Sequence, residues 1–224
     1  MKKCILIFLF FPTLVFSQVQ IGLRSGYTLS SIAFKPDNKS KIIPGEGVDL
    51  GLIVKHFDNK WVGFQGEMYL THRGYQAPFA DTINIKRVNS YLELPIFFQT
   101  HLKISSLFLH ANVGCYAAYL LSAKEGYDST GSWSMDKVKF NVLKDNRFDY
   151  GLAGGVGLSY EFKWGTIQAE VRIMYGYGDL FDHTYSGMPK ESKSVVQNVN
   201  ISYMYSFSRI AERRKEKEKN RIHN

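Results

Sequence analysis

Asp149-Tyr-Gly-Leu-Ala-Gly-Gly-Val-Gly-Leu-Ser-Tyr-Glu-Phe162 (DYGLAGGVGLSYEF) decides the fold class. Four glycines in seven residues, Gly151, Gly154, Gly155 and Gly157, invite comparison with a loop whose amides cradle phosphate. That loop needs a third glycine three residues after Gly-x-Gly, or a Lys-Ser or Lys-Thr after its last glycine. Gly157 is followed instead by Leu158-Ser-Tyr160. Every second residue is apolar: Tyr150, Leu152, Val156, Leu158, Tyr160 and Phe162, with Gly154 in the same series. Asp149, Gly151, Ala153, Gly155, Gly157, Ser159 and Glu161 make up the other series. A period of two is a strand, here with one oily face and one small or polar face.

The same alternation recurs along the chain, giving eight strands near residues 19–30, 47–56, 61–75, 88–100, 107–119, 149–162, 166–177 and 196–207. In the seventh, for example, Ile167, Ala169, Val171, Ile173 and Tyr175 oppose Gln168, Glu170, Arg172 and Gly176. The connections alternate long and short: residues 57–60, 102–106 and 163–165 are short, whereas 31–46, 76–87, 120–147 and 178–195 are long. Short turns at one end, long loops at the other and an even strand count are the pattern of an up-and-down transmembrane β-barrel, with turns in the periplasm and loops outside. Strands of about ten residues suffice to cross the hydrocarbon. The apolar face then meets lipid, and the ring must close because an open edge would leave backbone groups unpaired there. Phe57, Trp61, Trp164, Tyr205 and Phe207 fall near the turn end, and Tyr75, Tyr119, Tyr150 and Tyr177 near the loop end, as interfacial girdles require. The inward glycines 151, 155 and 157 make room for Arg, Glu and Tyr from facing strands. Gly154, on the lipid side, has no such reason.

Lys2 and Lys3 precede twelve uncharged residues, 5–16, and then Ser17-Gln18. This is a secretory signal, residues 1–17, too short to span a bilayer as a helix. It leaves Cys115 without an internal partner, so the exported chain relies on no disulfide. The net charge of +8 is terminal: +2 comes from the signal and +4 from the seven Lys/Arg and three Glu of residues 208–224, leaving +2 for 18–207. A basic face for nucleic acid is thereby excluded. The 208–224 tail has no hydrophobic stripe, so it reads as a solvated periplasmic segment, with a periplasmic or cell-wall partner as its candidate role.

Several short motifs are similar to the PorT-like outer-membrane β-barrel family, within the porin family. They are the Ser17-Gln18 signal end, Ile21-Gly-Leu-Arg-Ser-Gly-Tyr27, Tyr91-Leu-Glu-Leu-Pro95, Phe148-Asp-Tyr-Gly-Leu-Ala-Gly-Gly-Val-Gly157 and Arg172-Ile-Met-Tyr-Gly-Tyr-Gly178. The resemblance covers roughly residues 18–207. It implies an eight-stranded barrel in the outer membrane of a Gram-negative bacterium, monomeric and bathed in outer-membrane lipid. The family takes its name from a member linked to protein secretion, and most members have no assigned activity. Family barrels usually stop at the terminal aromatic, here Phe207, whereas this chain continues for seventeen residues.

Arg24, Glu67, Glu93, Glu170 and Arg172 all point inward near mid-depth. Charges there must pair, giving either a salt-bridge plug or a gated ion path. A rim cluster, Asp179, Asp182 and His183 with Ser186 nearby, has the residue types of a cation site or a hydrolytic set. His72, His101 and His110 show no partner by spacing, and Pro95 calls for a bulge because proline cannot donate to the ladder. No pattern demands a cofactor or a metal. Three functional readings follow: a non-enzymatic barrel acting through its external loops in a structural, adhesive or secretion-associated role, a narrow channel for ions or small solutes, and a rim enzyme. A topological rival takes the uncharged residues 104–123 as one transmembrane helix.

Overall fold

The computed structural model describes residues 19–35, 42–57, 61–80, 83–128, 134–138, 146–162, 164–180 and 190–206. Nine strands occur in chain order: β1 (Val19–Lys35), β2 (Ile43–Phe57), β3 (Val62–Ala80), β4 (Ile83–Ile104), β5 (Leu107–Asp128), β6 (Ser134–Lys137), β7 (Phe148–Glu161), β8 (Thr166–Asp179) and β9 (Glu191–Ser206). All pairings are antiparallel, and contact between β4 and β5 closes β1–β5 and β7–β9 into a ring of eight. The short β6 lies outside the ring, paired with the loop end of β5. There is no helix among the described residues. The rival helix at 104–123 therefore fails: a two-residue turn, with Ser105 at a left-handed φ of 60°, leads into β5, which turns His110 and Asn112 inward.

Alternation sorts the side chains by face. On β8 and β9 the outward Val171, Ile173, Val199 and Ile201 are each more than half exposed, while the inward Gln168, Arg172 and Asn198 are buried. A continuous apolar exterior around a polar interior inverts a water-soluble protein and suits lipid. Rings gather at the two ends of this surface. At the turn end Trp164 stacks on Phe162 (4.8 Å) and leans on Tyr203 (5.4 Å); at the loop end Phe148 meets Tyr150 and Tyr175 meets Tyr177. Two girdle assignments change. Phe57 turns inward, its ring 5.0 Å from that of His101, and Tyr75 is buried with Ile32 and Leu180 in an apolar cluster above the lumen. Phe207 lies outside the described residues.

The strands run further at the loop end than the alternation indicates. The segment read as a loop at 76–87 is a hairpin joined across residues 81–82, and β5 continues to Asp128. Above the hydrocarbon a strand no longer needs an oily outer face, so its period of two fades while its ladder persists. β3, β4, β5 and β6 thus form a sheet standing above the ring. Every register shift also lies in the loop half, including an extra residue, Leu121, opposite Ser90/Tyr91. Bulges favour barrel rims. None occurs at Pro95, which keeps register with Tyr116 while the β3–β4 ladder passes over it from Gly66↔Ile96 to Tyr69↔Glu93.

The glycine stretch finds its reason in close approach. A Cβ on Gly151 would stand 1.9 Å from the Tyr175 carbonyl oxygen, and one on Gly157 would meet the His110 ring at 2.6 Å. Gly155 leaves space beside the Glu170 carboxylate and Arg172. Gly154 is different: the nearest atom to an added Cβ is 3.5 Å away, so the site has room for one.

Candidate functional site

The lumen carries its chemistry in layers. At mid-depth β1 supplies Arg24, β2 Asp49, β3 Glu67, and β8 Glu170 and Arg172. Arg172 donates Nη1 and Nη2 to the two oxygens of Glu67 (2.9 and 2.8 Å) and Nε to Glu170 Oε1 (2.9 Å). Arg24 donates to Glu67 Oε2 (2.5 Å) and pairs with Asp49 Oδ1 (3.0 Å). Glu67 is thus the shared carboxylate of two guanidiniums, a fork-to-fork arrangement that fixes geometry as well as charge. Asn198 of β9 ties the layer together, accepting from Arg24 (3.0 Å) and donating to Asp49 Oδ2 (2.6 Å) and Thr28 (2.9 Å). The cations also cover rings, with Arg24 3.8 Å from the Tyr69 centroid and Arg172 4.2 Å from that of Phe97.

Glu93 stands apart from this layer. It pairs with Arg73 and accepts from the Tyr69 hydroxyl one layer nearer the loops. Arg73 reaches across the lumen from β3 to Asp149 on β7 (3.0 Å), which also accepts from Tyr116 and Ser194. Below mid-depth an amide layer of Gln65, Gln99, Asn112 and Gln168 follows. There Lys55 Nζ donates to Gln168 Oε1, and Ser159 meets His110 at 3.3 Å. His110 also sits 3.8 Å from Glu170, so it has a neighbour that spacing did not disclose.

Asp49, Lys55, Arg73 and Asp149 complete the network, and no motif in the sequence marks them as its members. Each lies on the inward parity of its strand, Arg73 with Glu67 on β3, Asp149 with the inward glycines on β7, and Asp49 with Lys55 on β2. Parity was the available signal.

Side chains fill the bore. Arg24 and Glu170 are 1% exposed and Arg172 is fully buried, so no water-wide path touches them at mid-depth. Small hollows remain at the ends, about 30 Å³ by Arg73, Asn89 and Asp149 and about 10 Å³ by Lys55, His101 and Thr166. At the rim, Asp179 accepts from the Ser192 amide (2.7 Å) and pairs with Lys193 (3.0 Å). Asp182 and His183, with Ser186, lie outside the described residues. No group of three metal-ligating side chains occurs among the described residues.

No match was found among curated proteins. Among solved structures, the chain is similar to Ail of Yersinia pestis bound to the heparin analogue sucrose octasulfate, at 15% identity over 84% of this chain and 99% of that one (TM-score 0.42). It is also similar to OprG of Pseudomonas aeruginosa, at 13% identity over 84% and 96% of the two chains (TM-score 0.47). Neisserial surface protein A shares 12% identity over 84% and 97% (TM-score 0.41). Likeness at this level carries no argument about activity. The model of the outer membrane protein beta-barrel domain matches residues 14–182, well over half the sequence, and the chain belongs to that outer-membrane family.

Proposed function

We propose that this is a sealed, non-enzymatic outer-membrane barrel of the PorT-like branch that works through its external loops, in a structural, adhesive or secretion-associated role. One observation carries the reading: the mid-depth ionic layer has essentially no surface reachable by water. A small barrel packed in this way anchors what it displays and conducts nothing. Residues 1–17 are taken as the signal peptide, 18–207 as the barrel and 208–224 as a periplasmic tail with a cell-wall or envelope partner. The engagement of Asp179 by Ser192 and Lys193 supports a structural role for that residue over a cation site with Asp182 and His183.

Planar-bilayer recording tests the sealed reading. Purified, folded protein is expected to give no steady conductance. Steady channels that disappear on charge changes at Glu93 or Arg172 would replace it with the channel reading.

A further inference from the structure

The sheet that stands above the ring segregates its charge by face. On its lumen side Arg87, 3% exposed, pairs with Glu125 (3.6 Å), and Asp136 lies opposite Glu125. The adjacent positions of opposite parity point outward, toward the surroundings of the barrel. There Lys124 on β5 lies directly opposite Lys137 on β6 and opposite Val88 on β4, with Lys86 one rung further. Lys124 and Lys137 are both exposed, and neither has an ion-pair or hydrogen-bond partner among the described residues. Opposed side chains on neighbouring strands sit about 5 Å apart at Cβ, and like charges so placed are destabilising.

The same edge of β5 gathers a third cation. Leu120 donates its amide to the Arg147 carbonyl (2.8 Å), and Val138 donates to the Ala123 carbonyl (2.9 Å). Arg147, Val138 and Lys137 therefore follow one another beside residues 120–124 of β5. The Arg147 guanidinium lies 4.9 Å from the centroid of Tyr119, a residue of the loop-end girdle, and donates to the Leu120 carbonyl. This places it where hydrocarbon gives way to headgroups. Lys124 is five residues further on, roughly 12 Å higher on a strand tilted about 40°, and a lysine stem reaches part of the way back down.

We propose that this outward shelf, Arg147, Lys124 and Lys137 above Tyr119 and Leu121, binds the phosphorylated headgroup of an outer-leaflet lipid. Phosphate supplies the charge that would relieve the opposed lysines, and its oxygens suit both ammonium and guanidinium donors. The position commits the occupant: the shelf faces sideways over the lipid girdle, away from the bore. A lipid already standing in that leaflet meets it without leaving the membrane.

The full chain is reconstituted in phosphatidylcholine nanodiscs containing a minor fraction of lipid A, and the lipid retained on the released barrel is counted by native mass spectrometry. Lipid A is expected to be enriched on the parent protein, and dephosphorylated lipid A is not. Lys124→Gln and Lys137→Gln each weaken the enrichment about fivefold, the factor for one basic residue at an anionic surface, while Lys124→Arg/Lys137→Arg preserves it. A heat-shifted gel band confirms that each variant is folded. Raised salt abolishes the enrichment on the parent, a reading that needs no variant. Equal retention by the glutamine variants, or of dephosphorylated lipid A, overturns the proposal. So does lysine-dependent binding of soluble inositol hexakisphosphate without lipid A enrichment, which would make the occupant a soluble anion.

Discussion

Removing the Arg172 guanidinium probes the ionic layer most sharply. Arg172→Met keeps a long apolar stem against Phe97 but deletes three donors, two to Glu67 and one to Glu170. In the parent, Arg24 and Arg172 face Asp49, Glu67 and Glu170, a net charge of −1 (2 − 3). In the variant Arg24 alone faces the three, for −2 (1 − 3), at a depth with no solvent to screen it. Breaking one partner out of a buried pair costs about 3–5 kcal/mol. Urea unfolding, followed by the heat-shifted gel band and tryptophan fluorescence, is expected to show a loss of that size with little change in slope. Arg172→Met/Glu170→Gln returns the layer to −1 and should recover ~1–2 kcal/mol, within the range that contacting residues couple. A loss within about 0.5 kcal/mol, typical of a surface substitution, would refute the claim that these charges hold the bore together.

Three further outcomes are expected. Gly151→Val, whose Cβ would enter the Tyr175 carbonyl, should yield no heat-shifted species, whereas Gly154→Ala, with nothing closer than 3.5 Å, should fold as the parent does. Val171→Arg, on the outward face, should cost ~2–4 kcal/mol in bilayers; a neutral effect would mean that face meets water. Asn198→Leu leaves buried Asp49 and Thr28 without their amide partner and should cost ~1–3 kcal/mol in the urea assay, and an unchanged midpoint would remove Asn198 from the network.

The strand pattern was readable wherever one face had to satisfy lipid. Val171, Ile173, Val199 and Ile201 alternate without interruption because every outward position in hydrocarbon must be apolar. The pattern fades at the described loop ends of β3, β4 and β5, where both faces meet polar surroundings, so the upright sheet and β6 leave no period-two signature. Of the charges, inward direction followed from parity but partnership did not. Glu93 and Arg73 come from adjacent strands, and Asp149 reaches them only because the ring closes across the lumen. An aromatic at a strand end suits a girdle and a lumen mouth equally; the odd position of Phe57 on β2, shared with Asp49 and Lys55, decides for the mouth. Pro95 needs no bulge because the ladder can skip two pairs without losing register.

Nitroxide scanning of β8 in liposomes tests the central claim most directly: an oily exterior in acyl chains around a bore closed by its own ions. Single labels at positions 167, 169, 171, 173 and 175 should collide freely with oxygen and scarcely with a water-soluble nickel chelate. Labels at 168 and 174, which leave Glu170 and Arg172 in place, should be shielded from both. Nickel access at the odd positions, or accessibility that repeats with a helical period, would contradict it.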